Sequence, residues 1–387
     1  MNTSQTPRIL GLTMEKVADF RSKPSAKNAG MYAALDRRFQ VLEVVTPTLS
    51  KVDTLYNRLR HVNTNVAYWR TRTHVNTWAL KQRSARAEQL LQQWDGQYDL
   101  IFQIHALTAP GIPPYRRPYV LHTDNTYMLS ERHYPGWATL RNPRERDEWV
   151  QIERDIYQQA AFLFPRTEFL RASLIDDYGC DPARVIRVGA GANIVAHSIE
   201  GRRYDSQIAL FVGNDFRRKG GQTLLQAWEQ VRRRLPKARL LIVGTAKQPA
   251  TLPEGIEWIG RVADRQVLAD LYMRAAVFVL PSLYEPWGSV YLEAMGHGTP
   301  CIGTMQSGIP EVIEQDVTGL LVSPGEAAPL ADALVAMLAD PIRAEAMGRR
   351  SYESVLHRFT WDEVVARMAP YIEQAVLKRT TSAQASV

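Results

Sequence analysis

The sequence predicts an α/β protein built from two doubly wound domains that face a central crevice. Three observations carry this reading. Short apolar runs of strand length alternate with longer amphipathic stretches of helical period along the whole chain. The alternation starts afresh after residue 207. Between the two series lies VGAGANIVAHSIEGRRYDS (188–206), a glycine-rich, weakly periodic stretch with the character of a boundary. A chain of 387 residues also suits two domains of ordinary size better than one.

In the first series RILGLT (8–13), FQVLEVV (39–45), YDLIFQI (98–104), YVLHT (119–123) and AFLFP (161–165) read as strands. Segments such as 76–94 and 143–160 supply helices between them. In the second, IALFVGN (208–214), RLLIVGT (239–245), IEWIG (256–260), AVFVLPS (276–282) and PCIGT (300–304) read as strands, each followed by a helical candidate such as 221–235. Strands that alternate with helices bury both faces and pair in parallel. In such sheets ligands bind at the carboxyl ends of strands. WDEVVARMAPYIEQAVL (361–377) has helical period, and TTSAQASV (380–387) is expected to be an unstructured tail.

Composition narrows the class. Hydrophobic residues make up 45% of the chain and charged residues 22%, which suits a packed core. Cys180 and Cys301 form no CxxC or CxxH pattern, so neither a zinc site nor a disulfide framework is expected, and a reducing cytoplasmic setting is. The start MNTSQTPRIL runs straight into a strand-like segment, so no secretory leader is expected. Apolar stretches such as AAVFVL (275–280) are far too short to span a bilayer. The net charge is +7, and its excess is uneven: no acid occurs between Asp53 and Glu88, while seven lysines and arginines and several aromatics do. Residues 54–87 therefore read either as a solvated helical face or as a contact with the inner face of an anionic membrane; no nucleic-acid partner is expected.

The most informative stretch is LYEPWGSVYLEAMGHGTP (283–300). Pro286 stiffens a loop at a strand's end, and Gly288 lets backbone approach a ligand. The N–H groups of Gly288, Ser289 and Val290 then open a helix, a placement that favours phosphate. Glu285 sits before that point and Glu293 about one turn beyond it. Carboxylates accept hydrogen bonds in pairs and suit vicinal hydroxyls, so a nucleotide sugar fits: sugar at Glu285, diphosphate at the helix start, ribose at Glu293. The same spacing also suits a plain helix start with acids near its positive end, and spacing alone does not separate the two.

EPWGSVYLEAMGHGTPCIG resembles the glutamate-seven-residues-glutamate motif of retaining glycosyltransferases of the GT-B fold, family 4. FVGNDFRRKGG (211–221) resembles the family's diphosphate-gripping loop, residues 307–334 resemble the segment after the glutamate motif, and RFTWDEVV (358–365) resembles the start of its closing helix. The likeness covers nearly all of 160–370 and is weak before about residue 95. It implies two Rossmann-like domains. Residues 1–195 with 360–387 would form the acceptor side and residues 205–358 the donor side. It further implies a metal-independent, retaining hexosyl transfer from a UDP- or GDP-sugar to a carbohydrate or lipid-linked acceptor, with no cofactor.

Residue by residue, the resemblance makes Glu285 the group that orients the sugar, Lys219 and an arginine the stabilisers of the leaving diphosphate, and Glu293 the ribose holder. The family's arginine after Gly213 is Asn214 here, so Arg217 or Arg218 takes its place, Arg218 being favoured. His122, at the end of YVLHT, resembles the histidine that touches the donor sugar, although Asp124 nearby could simply anchor it as a structural residue. His105 and the first-turn residues Lys27, Asn28 and Gly30 are acceptor-side candidates. Backbone near Gly260, Arg261 and Val262 is the implied base contact. Two other classes remain. A dinucleotide oxidoreductase lacks its G-x-G-x-x-G after any strand. A nucleotide-sugar-binding protein without turnover would account for Asn214 and a glycine-poor first turn.

Overall fold

The computed structural model describes residues 6–384 except 16, 18, 23–27, 116, 141, 195–197, 245–247 and 249–250. The chain separates into two compact units, one formed by residues 1–191 with 361–387 and the other by residues 192–360.

Unit 1 runs β1 (Arg8–Leu12), α1 (Ala29–Arg38), β2 (Gln40–Val45), α2 (Lys51–Arg60), α3 (Val66–His74) and α4 (Thr77–Gln92). It continues with β3 (Leu100–Ile104), β4 (Tyr119–Thr123), α5 (Tyr127–His133), α6 (Pro143–Gln159), β5 (Phe162–Pro165) and α7 (Glu168–Asp176). Its five strands pair in parallel in the order β2-β1-β3-β4-β5. β3, β4 and β5 are buried throughout, as strands covered on both faces must be.

Unit 2 runs β6 (Ile208–Val212), α8 (Gly221–Arg234), β7 (Arg239–Val243), β8 (Ile256–Gly260), α9 (Arg265–Arg274) and β9 (Val277–Val279). It continues with α10 (Ser289–Gly296), β10 (Cys301–Thr304), α11 (Ile309–Val312), β11 (Gly319–Val322), α12 (Ala327–Leu338) and α13 (Pro341–Arg358). Six parallel strands line up as β11-β10-β9-β6-β7-β8. The last helix, α14 (Trp361–Gln384), belongs to unit 1, where Arg37 and Arg38 of α1 bridge to Asp362 and Glu373.

Both strand orders reverse direction once. In unit 1 the reversal lies between β1 and β3, and in unit 2 between β6 and β9. At such a switch point the loops leaving adjacent strands diverge to opposite faces and leave a crevice at the carboxyl edge.

Several expectations need correction. α14 continues through residues 380–384, which read as part of a tail, because no glycine or further proline follows Pro370 to stop it. β9 pairs over only three residues, since Pro281 cannot donate to a ladder and the chain turns into the next loop. β11 is missing from the sequence reading, because GLLV is too short to show a period. The basic run 54–87 is not one face: Arg72 and Lys81 pair with Glu145 and Glu148 of α6. Arg83 is buried and donates to the carbonyls of Leu107 (3.0 Å) and His74 (2.9 Å). Among the described residues no helix is long and apolar enough to cross a membrane.

Among the described residues of unit 1, Glu153 is the one carboxyl buried in the core. Glu153 of α6 is buried and accepts from Tyr127 N (3.2 Å) and from the Tyr178 hydroxyl. Burial pushes its pKa up to about 7, against the lowering effect of those donors. A carboxyl raised in the folded state stabilises the fold at low pH, and that contribution fades as pH climbs through its folded value. The melting temperature of the wild type should therefore fall between about pH 5 and pH 8 relative to Glu153→Gln, a difference on the order of a few kcal/mol. Parallel melting curves that keep a constant gap would contradict this.

Candidate functional site

The switch point of unit 2 is where the sequence places its chemistry. Gly213 ends the run of β6, and the following turn is tight: Lys219 N donates to Asp215 O (3.0 Å) and Gly221 N to Phe216 O (2.8 Å). The stem of Lys219 folds back over Gly213, where a Cβ would lie 2.4 Å from Lys219 Cδ. Gly220 takes φ 73° and passes so close to Pro281 that a Cβ would sit 1.8 Å from its carbonyl oxygen. Leu283 N donates to Arg218 O (2.8 Å), so the loops after β6 and β9 are tied backbone to backbone.

That approach brings Glu285 to Arg218 and Lys219. Arg218 Nη1 and Lys219 Nζ each lie 3.2 Å from Glu285 Oε2, and all three side chains are about nine-tenths buried. Arg218 Nη1 also donates to Tyr284 O (2.7 Å), and Asp215 Oδ2 lies 3.4 Å from its Nε. Arg217 and Asn214, by contrast, are exposed. Of the two arginines offered by the sequence, Arg218 is the one built into the constellation. Asp215 was missed, although an Asp three residues before an Arg in a glycine-bounded turn is the available signal.

Glu293 stands one turn into α10, half-buried, and accepts from the Tyr272 hydroxyl (3.2 Å). Burial raises its pKa, while the Tyr272 hydroxyl, Arg265 and Lys219 act the other way. Tyr272 left no trace in sequence, because nothing links residue 272 to residue 293 before folding. Gly288 takes φ 79°, and Ser289 and Val290 form the first turn of α10, half-buried. Arg261 lies exposed just past β8, after Gly260 with its φ of 78°.

Helix starts at the switch points differ from those elsewhere. α2 to α7, α9 and α13 are each closed by a side chain accepting from the first turn, Asn76 and Thr167 being examples. α1, α8 and α10, which follow β1, β6 and β9, each begin after a left-handed residue with no side-chain cap (α11 and α12 also lack one). No side chain closes these first turns, although Gly221 N and Tyr291 N donate to the backbone carbonyls of Phe216 and Gly288, and the helix dipole favours an anion beside the N–H groups of Ser289 and Val290.

In unit 1 His122 is wholly buried at the end of β4, edge-on to Trp361 (6.1 Å between centroids). Its Nε2–H donates to Gly189 O (3.0 Å), which leaves Nδ1 as an acceptor without a hydrogen-bond partner among the described residues. Burial first, and Arg166 second, push its pKa down to about 3, so the ring is neutral at working pH. Asp124 does not anchor it: that carboxylate faces His105 Nδ1 (3.4 Å) and Arg166 Nη1 (3.2 Å). His105 takes φ 60° just beyond β3. With Glu15, Asp124, Asn125 and Trp137 it lines a cavity of about 400 Å³ at the carboxyl edge of this sheet. Asn28 donates to Glu15 Oε2 (2.7 Å), Gly30 is buried within α1, and Lys27 lies outside the described residues.

The architecture is GT-B: sucrose-phosphate synthase from Thermosynechococcus elongatus superposes with a TM-score of 0.69 at 19% identity, over 95% of this chain and 98% of that one. Anabaena Alr3699/HepE, solved in complex with UDP-glucose, gives 0.61 at 20% identity over 95% and 99%. The family profile described as glycosyl transferases group 1 matches residues 206–340. Alpha-maltose-1-phosphate synthase of Mycolicibacterium smegmatis is 31% identical over 280 residues, 67% of this chain and 70% of that protein. D-inositol 3-phosphate glycosyltransferase of Segniliparus rotundus is 30% identical over 276 residues, 65% of this chain and 59% of its own length. The chain belongs to the group 1 glycosyltransferases, family 4.

The geometry separates the two arginines experimentally. Arg218→Ala would leave Glu285 buried with half its partners and should cost about 1–3 kcal/mol of stability, read by urea unfolding. Arg217→Ala should leave the midpoint unchanged. Equal effects of the two substitutions would remove Arg218 from its place.

Proposed function

We propose that the chain is a retaining, metal-independent hexosyltransferase that moves a sugar from a UDP- or GDP-sugar to an acceptor hydroxyl. The observation that carries this is the convergence of two buried cations on Glu285, at a switch point beside the uncapped start of α10. The diphosphate of the donor binds at that helix start, where Gly288 keeps the backbone clear and Ser289 and Val290 offer N–H groups. Negative charge grows on the departing diphosphate in the transition state, and Lys219 and Arg218 are fixed to meet it. As they do so, Glu285 is released from its ion pairs and free to accept from sugar hydroxyls and to offset positive charge at the ring. The acceptor hydroxyl attacks from the face the diphosphate leaves, so no enzyme carboxylate forms a covalent intermediate.

Glu293 holds the ribose, and for that it must be ionised. Its raised pKa means that donor affinity increases with pH as this carboxyl ionises. His122 serves as a neutral hydrogen-bonding group for the sugar, with Nδ1 as its acceptor atom. Backbone about Gly260, Arg261 and Val262 meets the base, with Gly213 and Asn214 close to the phosphates. The cavity by His105 and Glu15 seats a carbohydrate or lipid-linked acceptor, in the synthesis of a polysaccharide, a glycolipid or a cell-envelope glycan. Cys180 and Cys301 are free, buried thiols, which suits work in the cytoplasm.

Thermal shift against UDP-, GDP-, ADP- and dTDP-sugars tests the donor site, because a ligand that binds only the folded chain raises its melting temperature. One nucleotide class should stabilise the wild type and not Glu293→Ala, and turnover of that donor should survive EDTA. Lys219→Ala should lower kcat far more than it raises KM, since its contact strengthens in the transition state. Donor binding without turnover on any acceptor would favour a binding protein, for which Asn214 is the sequence hint.

A further inference from the structure

α2 is oriented the wrong way round for a surface helix. Its apolar residues Val52, Leu55, Tyr56 and Leu59 recur at helical spacing and are 77%, 58%, 50% and 64% exposed. The opposite face is polar and turned inward: Asn57 is buried, donates to Thr73 O (2.8 Å) and accepts from Asn76 Nδ2 (3.2 Å), with Asp53, Thr54 and His61 half-buried beside it. α8 shows the ordinary arrangement, burying Leu224, Ala227, Trp228 and Val231. At about 100° per residue the outer stripe of α2 spans one narrow arc, bordered by Lys51 and Arg58 on one side and by Arg60 on the other. These three cations are exposed and form no salt bridge among the described residues. Val62, just past the helix, extends the apolar stripe and is 66% exposed.

We infer that the outer face of α2 docks in the headgroup region of an anionic bilayer, apolar stripe down and cations on the lipid phosphates. An apolar stripe edged by cations, whose nearest acid, Asp53, is half-buried and held by Ser50, matches a lipid surface in both polarity and charge. A second copy docked on this face would bring two sets of three exposed cations together at its rim. A ten-residue helix, about 15 Å long, also offers far less than the roughly 800 Å² per side of a stable protein interface. The carrier is the exposed stripe of 51–62 rather than the full basic run, whose Arg72, Lys81 and Arg83 are engaged elsewhere.

The test is co-sedimentation of the full chain with vesicles of phosphatidylcholine alone and with phosphatidylglycerol added. Binding is expected only to the anionic vesicles, weakening as salt is raised. Leu55→Ser/Leu59→Ser should reduce it by about tenfold or more while the melting temperature holds, because both side chains are exposed. Arg58→Gln/Arg60→Gln should remove the preference for anionic lipid. Undiminished binding by the leucine variant overturns the inference. So does a concentration-dependent wild-type dimer that the leucine substitutions dissociate, which would assign the face to a second copy.

Discussion

The arrangement of unit 2 hangs on one buried carboxylate. Glu285 lies buried against two cations, and both come from the loop that leaves another strand. The ion cluster therefore does for the switch point what a ladder does for a sheet: it fixes the separation of the two loops. Gly213 and Gly220 are the concessions that let it form, one clearing room for a lysine stem and the other for a carbonyl. Once the loops are set, α10 follows with Gly288 at its head, and Glu293 falls one turn further along.

The two units reach a similar edge by different strand orders. Each sheet reverses once, and the helices that follow β1, β6 and β9 beside the reversals start without a side-chain cap. Elsewhere serine, threonine, asparagine or aspartate closes most helix starts. A chain that caps eight helices in this way leaves α1, α8 and α10 uncapped behind a left-handed residue, where a ligand could supply the acceptor instead, and α11 and α12 uncapped without one.

Much of this was legible before folding. Strand and helix periods reveal the two series, because buried parallel strands are continuous apolar runs and their helices are amphipathic. The glutamates, the basic turn and Gly288 were picked out by local spacing together with the family resemblance, since the spacing alone suits a plain helix start equally. What stayed hidden depends on distant partners. Nothing local ties Tyr272 to Glu293, Gly189 to His122, or Asp124 to His105 and Arg166. The orientation of α2 was hidden for a related reason. A helical period tells which residues share a face, and only Asn57 bonded to Asn76 and Thr73 tells which face turns inward.

Gly220 shows how a scan of single substitutions can mislead here. It carries no side chain, so it can offer a ligand nothing beyond its backbone. Any larger residue would press on the Pro281 carbonyl and push the two loops apart, and with them Glu285 from its cations. A survey that ranks positions by lost activity would place Gly220 among the chemical groups, and a loop transplanted into another scaffold would fail without it. The position is a spacer whose required size is zero.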